Sequence, residues 1–161
     1  MTENEKRKKR VCFTGHRPEK LNDSEETIKK ELRAEILNSI NEGFNVFISG
    51  MARGVDIWAA EIIIELKNKG YNLKLICAIP YDGFESKWSK EWQIRYNNII
   101  CNSDLIRYIS PKYSFECFQI RNEWMVNHSA KVIAVFNGEK GGTYNTIKYA
   151  TKENLKIKII E

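Results

Sequence analysis

The feature that most constrains the fold is the regular alternation of short apolar runs with longer amphipathic segments. The apolar runs predict strands over residues 11–14, 45–49, 73–79, 105–109, 131–136 and 155–160. Between them, apolar residues recur at helical spacing, which predicts helices over about residues 23–42, 55–69, 86–101, 115–128 and 143–153. Near-continuous apolar strands separated by helices favour a parallel sheet covered on both faces. The sequence therefore predicts an α/β fold: a single Rossmann-like three-layer domain with a mainly parallel sheet of about six strands.

The N-terminal segment differs from the rest of the chain in charge. Residues 1–10 hold five basic and two acidic side chains, a net charge of +3, and the whole chain carries +5, so the remainder carries +2. The sequence therefore divides into a basic flexible tail, 1–10, and a nearly neutral domain, 11–161. The run Lys6–Arg10 could contact nucleic acid or anionic lipid, but a solvated tail is the favoured interpretation.

Several classes of protein are disfavoured by composition. No apolar run approaches the ~20 residues that span a bilayer, and no apolar segment follows the basic residues as in a secretory signal. The four cysteines are scattered, with no CxxC and no Cys/His pair at the spacing of metal ligands. We therefore expect a cytoplasmic protein with reduced cysteines, no metal site and no membrane partner.

A glycine-bracketed turn follows the second predicted strand. Ser49 ends that strand, and Gly50, Arg53 and Gly54 lie between it and the next helix. Glycine lets the backbone approach a ligand closely, and a helix start offers free N–H groups and a positive dipole end to a phosphate. The guanidinium of Arg53 adds a forked cation suited to the same group. This turn is therefore a candidate phosphate site.

Carboxylates near the expected site have two interpretations each. Asp56 could cap the helix, which is favoured, or bond a ribose hydroxyl. Glu61 could face solvent or the ligand, and the sequence leaves this open. On the helix predicted over 115–128, Arg121 and Asn122 could face the pocket and Glu123 could be a general base, but surface charges are favoured there.

Two more loops are expected at the same edge, because the carboxyl ends of parallel strands share it. Gly15, His16 and Arg17 directly follow the first predicted strand, and Gly141–Thr143 follow the fifth. Glycines ahead of a helix again suit phosphate. Neither loop contains GxGxxG or GxxxxGK[ST], which disfavours an ordinary NAD(P) dehydrogenase and a Walker A nucleotidase.

Aromatic residues recur every four positions over the helix predicted at 86–101. Trp88, Trp92 and Tyr96 form this stripe, and such a stripe is more often core or interface than a stacking platform. Trp88 is the member nearest the loop after strand three. We therefore single it out as a candidate for stacking on a base.

Four motifs in order resemble the YpsA-like family of the SLOG superfamily, which includes DprA and the LOG phosphoribohydrolases. They are Thr14–Pro18, Ser49–Glu61, Arg121–Val126 and Gly141–Thr143, and Ser49–Asp56 is similar to the SGxARGxD motif of DprA. The resemblance spans Val11 to Ile160. It implies a SLOG-type Rossmann-like domain that holds a nucleotide-derived ligand at its glycine turns. In the LOG motif PGGxGTxxE a glutamate serves catalysis, and Thr146 stands at that position here.

The resemblance implies binding of an ADP-ribose-like ligand or another phosphorylated ribonucleoside, by a sensor or sequestering protein that requires no cofactor. A LOG-like hydrolase using Glu61 or Glu123, and DprA-like binding of single-stranded DNA, are the alternatives. A homodimer is left open, and nucleic acid is disfavoured. The expected ligand-binding residues are Gly15, His16, Arg17, Ser49, Gly50, Arg53, Gly54, Asp56, Glu61, Trp88, Arg121, Asn122, Gly141, Gly142 and Thr143.

Overall fold

The computed structural model describes residues 1–161, and its centre is a six-stranded, all-parallel sheet in the order β4-β3-β2-β1-β5-β6. The strands are β1 (Arg10–Gly15), β2 (Val46–Ser49), β3 (Lys74–Ile79), β4 (Leu105–Tyr108), β5 (Lys131–Val135) and β6 (Lys156–Ile160). All five pairings between neighbouring strands are parallel. The α/β, Rossmann-like architecture expected from the sequence is confirmed.

Helices cover both faces of the sheet. They are α1 (Glu3–Arg7), α2 (Glu25–Asn41), α3 (Val55–Asn68), α4 (Lys90–Asn102), α5 (Cys117–Asn127) and α6 (Gly142–Lys152), with a 3-10 turn at Pro18–Lys20. Helices α2, α3 and α4 pack on one face, and α5 and α6 pack on the other. Successive strand residues point to opposite faces: Val11 and Phe13 join the core under α3, whereas Cys12 joins the core under α5. None of the helices is both long and apolar enough to cross a bilayer.

The order of the strands reverses beside β1. From β1 the chain builds outward through β2, β3 and β4 on one side, and then returns to place β5 and β6 on the other. The loops that leave β1 and β5 therefore separate above the sheet. In doubly wound sheets such a crevice at the carboxyl ends of the strands is where ligands bind.

The N-terminal segment, expected to be a flexible tail, is helical over α1. Thr2 caps this helix by accepting a hydrogen bond from the backbone N–H of Glu5. Arg7 Nε donates to the carbonyl oxygen of Ser129 at 2.8 Å, and Arg10 Nη1 donates to that of His128 at 3.2 Å. Both carbonyls lie just beyond the end of α5, where cations stabilise the free C=O groups. Arg10 also begins β1, so the sheet starts one residue earlier than the expected boundary.

Candidate ligand-binding site

A pocket of about 660 Å³ opens at the carboxyl edge of the sheet, within the range of small-molecule sites. Five segments form its walls: the end of β1 with its loop, the β2–α3 turn, the β3–α4 loop with the first turn of α4, helix α5 and the β5–α6 turn. Eleven of the residues expected to bind ligand line it, namely Gly15, His16, Arg17, Arg53, Asp56, Trp88, Arg121, Asn122, Gly141, Gly142 and Thr143. The structure therefore brings residues from all four sequence motifs into one cavity.

Three expected ligand residues shape the β2–α3 turn from outside the pocket lining. Ser49 Oγ donates to the carbonyl of Asp56 at 2.9 Å and accepts from Met51 N–H at 3.1 Å. Gly54 has φ +92°, and a Cβ there would lie 2.9 Å from Pro18 Cδ. At Gly50, a Cβ would lie 2.9 Å from Asp56 Oδ2. These residues therefore hold the turn closed and position its neighbours.

Glu61 and Glu123, the two carboxylates considered as catalytic candidates, do not line the pocket. Glu61 lies on the face of α3 that contacts α2 and α4, where Lys29 Nζ and Arg95 Nη2 donate to it at 3.1 and 2.6 Å. Glu123 accepts a hydrogen bond from Gln119 one turn earlier on α5, at 2.9 Å. Glu61 therefore joins three helices, and Glu123 bonds within its own helix.

Asp56 lies in the first turn of α3, but it does not cap the helix in the way favoured from the sequence. The N-cap residue is Gly54, which has no side chain to bond the helix start. Asp56 Oδ2 instead accepts a hydrogen bond from the backbone N–H of Ala52 at 3.2 Å, which braces the turn before the helix. Burial raises the pKa of this carboxyl from 3.8 to about 6, and the charge of Arg121 opposes that rise.

Arg121 is buried in the pocket wall, so the surface charge favoured from the sequence is wrong. Its side chain is 5% exposed. Nη1 donates to the carbonyl oxygen of Gly50, and Nε donates to Asn122 Oδ1 at 2.8 Å. The guanidinium carbon lies 5.9 Å from the centre of the Phe84 ring. Burial lowers the pKa of Arg121, and the carboxylate of Asp56 opposes this effect.

Positive charge dominates the lining. The cations are Arg17, Lys20, Arg53, Lys87, Arg121 and Lys140, and the one carboxylate among the lining residues is Asp56. Sequence reasoning missed the three lysines, because loop lysines are common and carry no local signal of a site. A concave surface with charge of one sign concentrates ligands of the opposite sign.

Two helices begin at the pocket without side-chain caps. Gly54 precedes α3 and Gly141 precedes α6, and neither residue can offer a capping oxygen. The first N–H groups of a helix lack intrahelical acceptors, and they carry the positive end of its dipole. The two glycine turns recognised in the sequence therefore face the same cavity as the cations, an arrangement suited to phosphate.

The wall formed by the β3–α4 loop and α5 is aromatic. The rings of Phe84 and Trp88 meet edge to face with centroids 5.0 Å apart, and Phe84 lies 5.8 Å from both Tyr81 and Phe118. Of this set the sequence singled out only Trp88, which precedes α4 instead of lying within it. Tyr81 and Phe84 share the β3–α4 loop with Trp88, whereas Phe118 comes from α5, so the fold is needed to bring its ring to the others.

The chain matches the model of the YspA SLOG family over residues 11–161. It is 31% identical over 156 residues to a UPF0398 protein of Bacillus cereus strain B4264, covering 91% of this chain and 84% of that protein. It is 32% identical, over the same shares of the two chains, to a UPF0398 protein of Bacillus thuringiensis strain Al Hakam.

Solved structures with a similar fold include two DNA processing proteins A (DprA). The Streptococcus pneumoniae protein has a TM-score of 0.67 at 20% identity, covering 96% of this chain but 50% of its own, so the present chain spans half its length. The Helicobacter pylori protein, described for its single-stranded DNA binding mode, has a TM-score of 0.68 at 18% identity, covering 99% and 67%. The protein TM1055 gives 0.55 at 15% identity, covering 92% and 72%. At these identities the likeness concerns the fold.

Proposed function

The chain belongs to the YspA SLOG family, and on that premise we propose that its pocket binds a nucleotide-derived small ligand. An ADP-ribose-like molecule or another phosphorylated ribonucleoside is the class that suits it. The protein would act as a sensor or as a sequestering protein.

The observation that carries this proposal is the imbalance of charge in the pocket. Six lysine and arginine side chains and one carboxylate line a cavity of about 660 Å³, and two helices without side-chain caps, α3 and α6, begin beside it. Arginine and backbone N–H groups are the donors that proteins commonly use for phosphate. The charge therefore favours a ligand with at least one phosphate.

The aromatic wall supports a base at the other end of that ligand. The rings of Phe84, Trp88 and Phe118 line the same cavity as the lysine and arginine side chains. Stacking of a base on an aromatic side chain contributes about 1–3 kcal/mol in nucleic-acid complexes. A phosphate on the cations and a base on these rings would together occupy the cavity.

Binding without turnover is favoured over hydrolysis. The two glutamates considered for catalysis, Glu61 and Glu123, are absent from the lining. Thr146, which stands where the LOG motif has its glutamate, is 1% exposed, and its hydroxyl donates to the carbonyl of Gly142 at 2.8 Å. That side chain braces the start of α6 and leaves no acid at this position.

Isothermal titration calorimetry with AMP, ADP, ADP-ribose and NAD⁺ tests the proposal. We expect at least one of these to bind, and Arg53→Ala to weaken binding about tenfold through loss of a charged hydrogen bond. Arg33→Ala is the matched control, because Arg33 pairs with Glu65 between α2 and α3, away from the pocket. The proposal fails if no nucleotide binds, or if Arg53→Ala binds as well as the wild type.

Two further measurements address the alternatives. The first is chromatography after the protein has been incubated with a nucleotide that it binds. Release of free base would show that the protein is a hydrolase and not a sensor. Binding of single-stranded DNA with a steep salt dependence would instead indicate a DNA-binding role. If the protein only binds a small ligand, we expect neither free base nor salt-dependent binding of single-stranded DNA.

A further inference from the structure

Two polar atoms of the pocket residues have no hydrogen-bond partner in the protein. They are Asp56 Oδ1 and His16 Nε2. Both side chains line the pocket, and each residue is only 7% exposed. Buried polar atoms are almost always paired, because an unpaired one loses its bonds to water without compensation. Their occurrence together in one cavity points to a partner supplied by a ligand.

These two residues come from segments that are packed tightly together. His16 follows Gly15, and Asp56 follows Val55. A Cβ on Gly15 would lie 2.4 Å from Val55 Cγ2, so only glycine lets the end of β1 press this closely on the start of α3. The same pocket floor therefore carries both unpartnered atoms.

The chemistry of the two groups differs from that of their surroundings. Every other charged side chain of the lining is a cation, so a phosphate would be attracted to the rest of the pocket and repelled at Asp56. A carboxylate accepts a hydrogen bond, and a neutral imidazole has one donor and one acceptor nitrogen. A hydroxyl group, which can donate and accept, satisfies either residue.

We propose that Asp56 and His16 bind the two neighbouring hydroxyls of a ribosyl group while the cations hold its phosphate. This inference rests on the proposed nucleotide-binding function. It adds the orientation of the nucleotide in the pocket and a selectivity for ribose over deoxyribose. The sugar lies between the C-terminal end of β1 and the first turn of α3, and the base faces the aromatic wall. The site therefore binds ribonucleotides more tightly than 2′-deoxyribonucleotides.

The test compares AMP with 2′-deoxy-AMP and 3′-deoxy-AMP by calorimetry at pH 7.5, or the ADP-ribose and deoxyribosyl ADP-ribose pair if AMP is too weak. Loss of a hydrogen bond to a charged group weakens binding about tenfold or more. We therefore expect the wild type to bind at least one deoxy analogue about tenfold more weakly than the ribonucleotide.

Two variants assign the preference to the residues. Asp56→Asn keeps the shape but removes the charge, and His16→Phe keeps a ring against Phe136, on which His16 stacks at 5.5 Å. Each should reduce the ratio of ribo to deoxy affinity, a quantity that a uniform loss of fold stability leaves unchanged. Glu65→Gln, on the same helix as Asp56 but outside the pocket lining, is the control and should keep the wild-type ratio.

The outcomes separate the two proposals. If ribo and deoxy forms bind equally well to the wild type, hydroxyl recognition is overturned and nucleotide binding stands. If both variants keep the wild-type preference, the assignment to Asp56 and His16 is overturned. If no nucleotide binds, both proposals fail together.

Discussion

Arg121 on α5 donates a hydrogen bond from Nη1 to the carbonyl oxygen of Gly50, which lies 71 positions earlier in the chain. The bond joins α5, on one face of the sheet, to the β2–α3 turn, whose helix covers the other face. Beside it lies Asp56, whose charge Arg121 balances. One buried guanidinium thus connects two of the sequence motifs and fixes the floor of the pocket.

Removing that guanidinium should destabilise the fold as well as the site. Arg121→Ala leaves the buried Gly50 carbonyl without its hydrogen-bond donor and removes the cation that favours the charged form of Asp56. Leaving a buried acceptor unsatisfied costs about 1–3 kcal/mol. Urea denaturation should show this loss in the free energy of unfolding. Arg121→Lys restores a charge without the fork and should recover only part of it.

Glu123→Gln serves as the control, because Glu123 is bonded only to Gln119 on the same helix. It should change the free energy of unfolding by less than about 0.5 kcal/mol. Equal effects of Arg121→Ala and Glu123→Gln would contradict the role assigned to Arg121.

The contact between β1 and α3 makes Gly15 sensitive to the smallest enlargement. A Cβ there would lie 2.4 Å from Val55 Cγ2 and 2.6 Å from Val55 Cβ. Overpacking of this kind typically costs about 1–3 kcal/mol, so Gly15→Ala should lower the melting temperature. Gly142→Ala is the matched control, since its nearest neighbour would be Asn122 Nδ2 at 3.9 Å. A stable Gly15→Ala protein would show that α3 can shift away from the sheet.

Glu19 should compete with the ligand for Arg53. Its Oε1 lies 3.2 Å from Arg53 Nη1, and its side chain is 57% exposed. An exposed ion pair contributes about 0.2–1 kcal/mol, so Glu19→Gln should strengthen binding of a phosphorylated ligand roughly two- to fivefold.

Glu153→Gln, at the far end of α6, makes the same change in net charge and is the control. If both variants strengthen binding equally in calorimetry, the cause is overall charge and not release of Arg53.

The pH dependence of stability should carry a component from Asp56. Its pKa is raised by burial from 3.8 to about 6. Between these values the folded protein holds a proton that the unfolded chain has lost, so this group's contribution to stability falls as pH rises from about 4 to about 6. Across that window the loss amounts to about 2–3 kcal/mol.

Asp56→Asn removes this component, so the difference in unfolding free energy between wild type and variant should fall with rising pH. Other carboxyls, such as Glu25 and Glu42, have lowered pKa values and give the opposite slope. They are present in both proteins and cancel in the difference. A difference that stays flat between pH 4 and 7 would refute the shift.

Much of the fold follows from the sequence alone. The alternation of apolar runs and helical periodicity determined the α/β class, the six strands and the parallel sheet, because each signal depends on near neighbours in the chain. The glycine turns after β2 and β5 were likewise visible locally, and both reach the pocket through Arg53, Gly141 and Gly142.

The tertiary structure alone decided which charges share the site. Glu61 and Asp56 are five residues apart on one helix, yet Asp56 lies at the pocket floor and Glu61 bonds Lys29 and Arg95. Arg121 reads as a surface charge until α5 is placed beside Gly50. The burial of Arg121, the net positive charge of the pocket lining and the contact of Phe118 with the β3–α4 loop all arise from contacts between distant segments. Local periodicity determines the elements, whereas long-range packing determines which of their side chains meet.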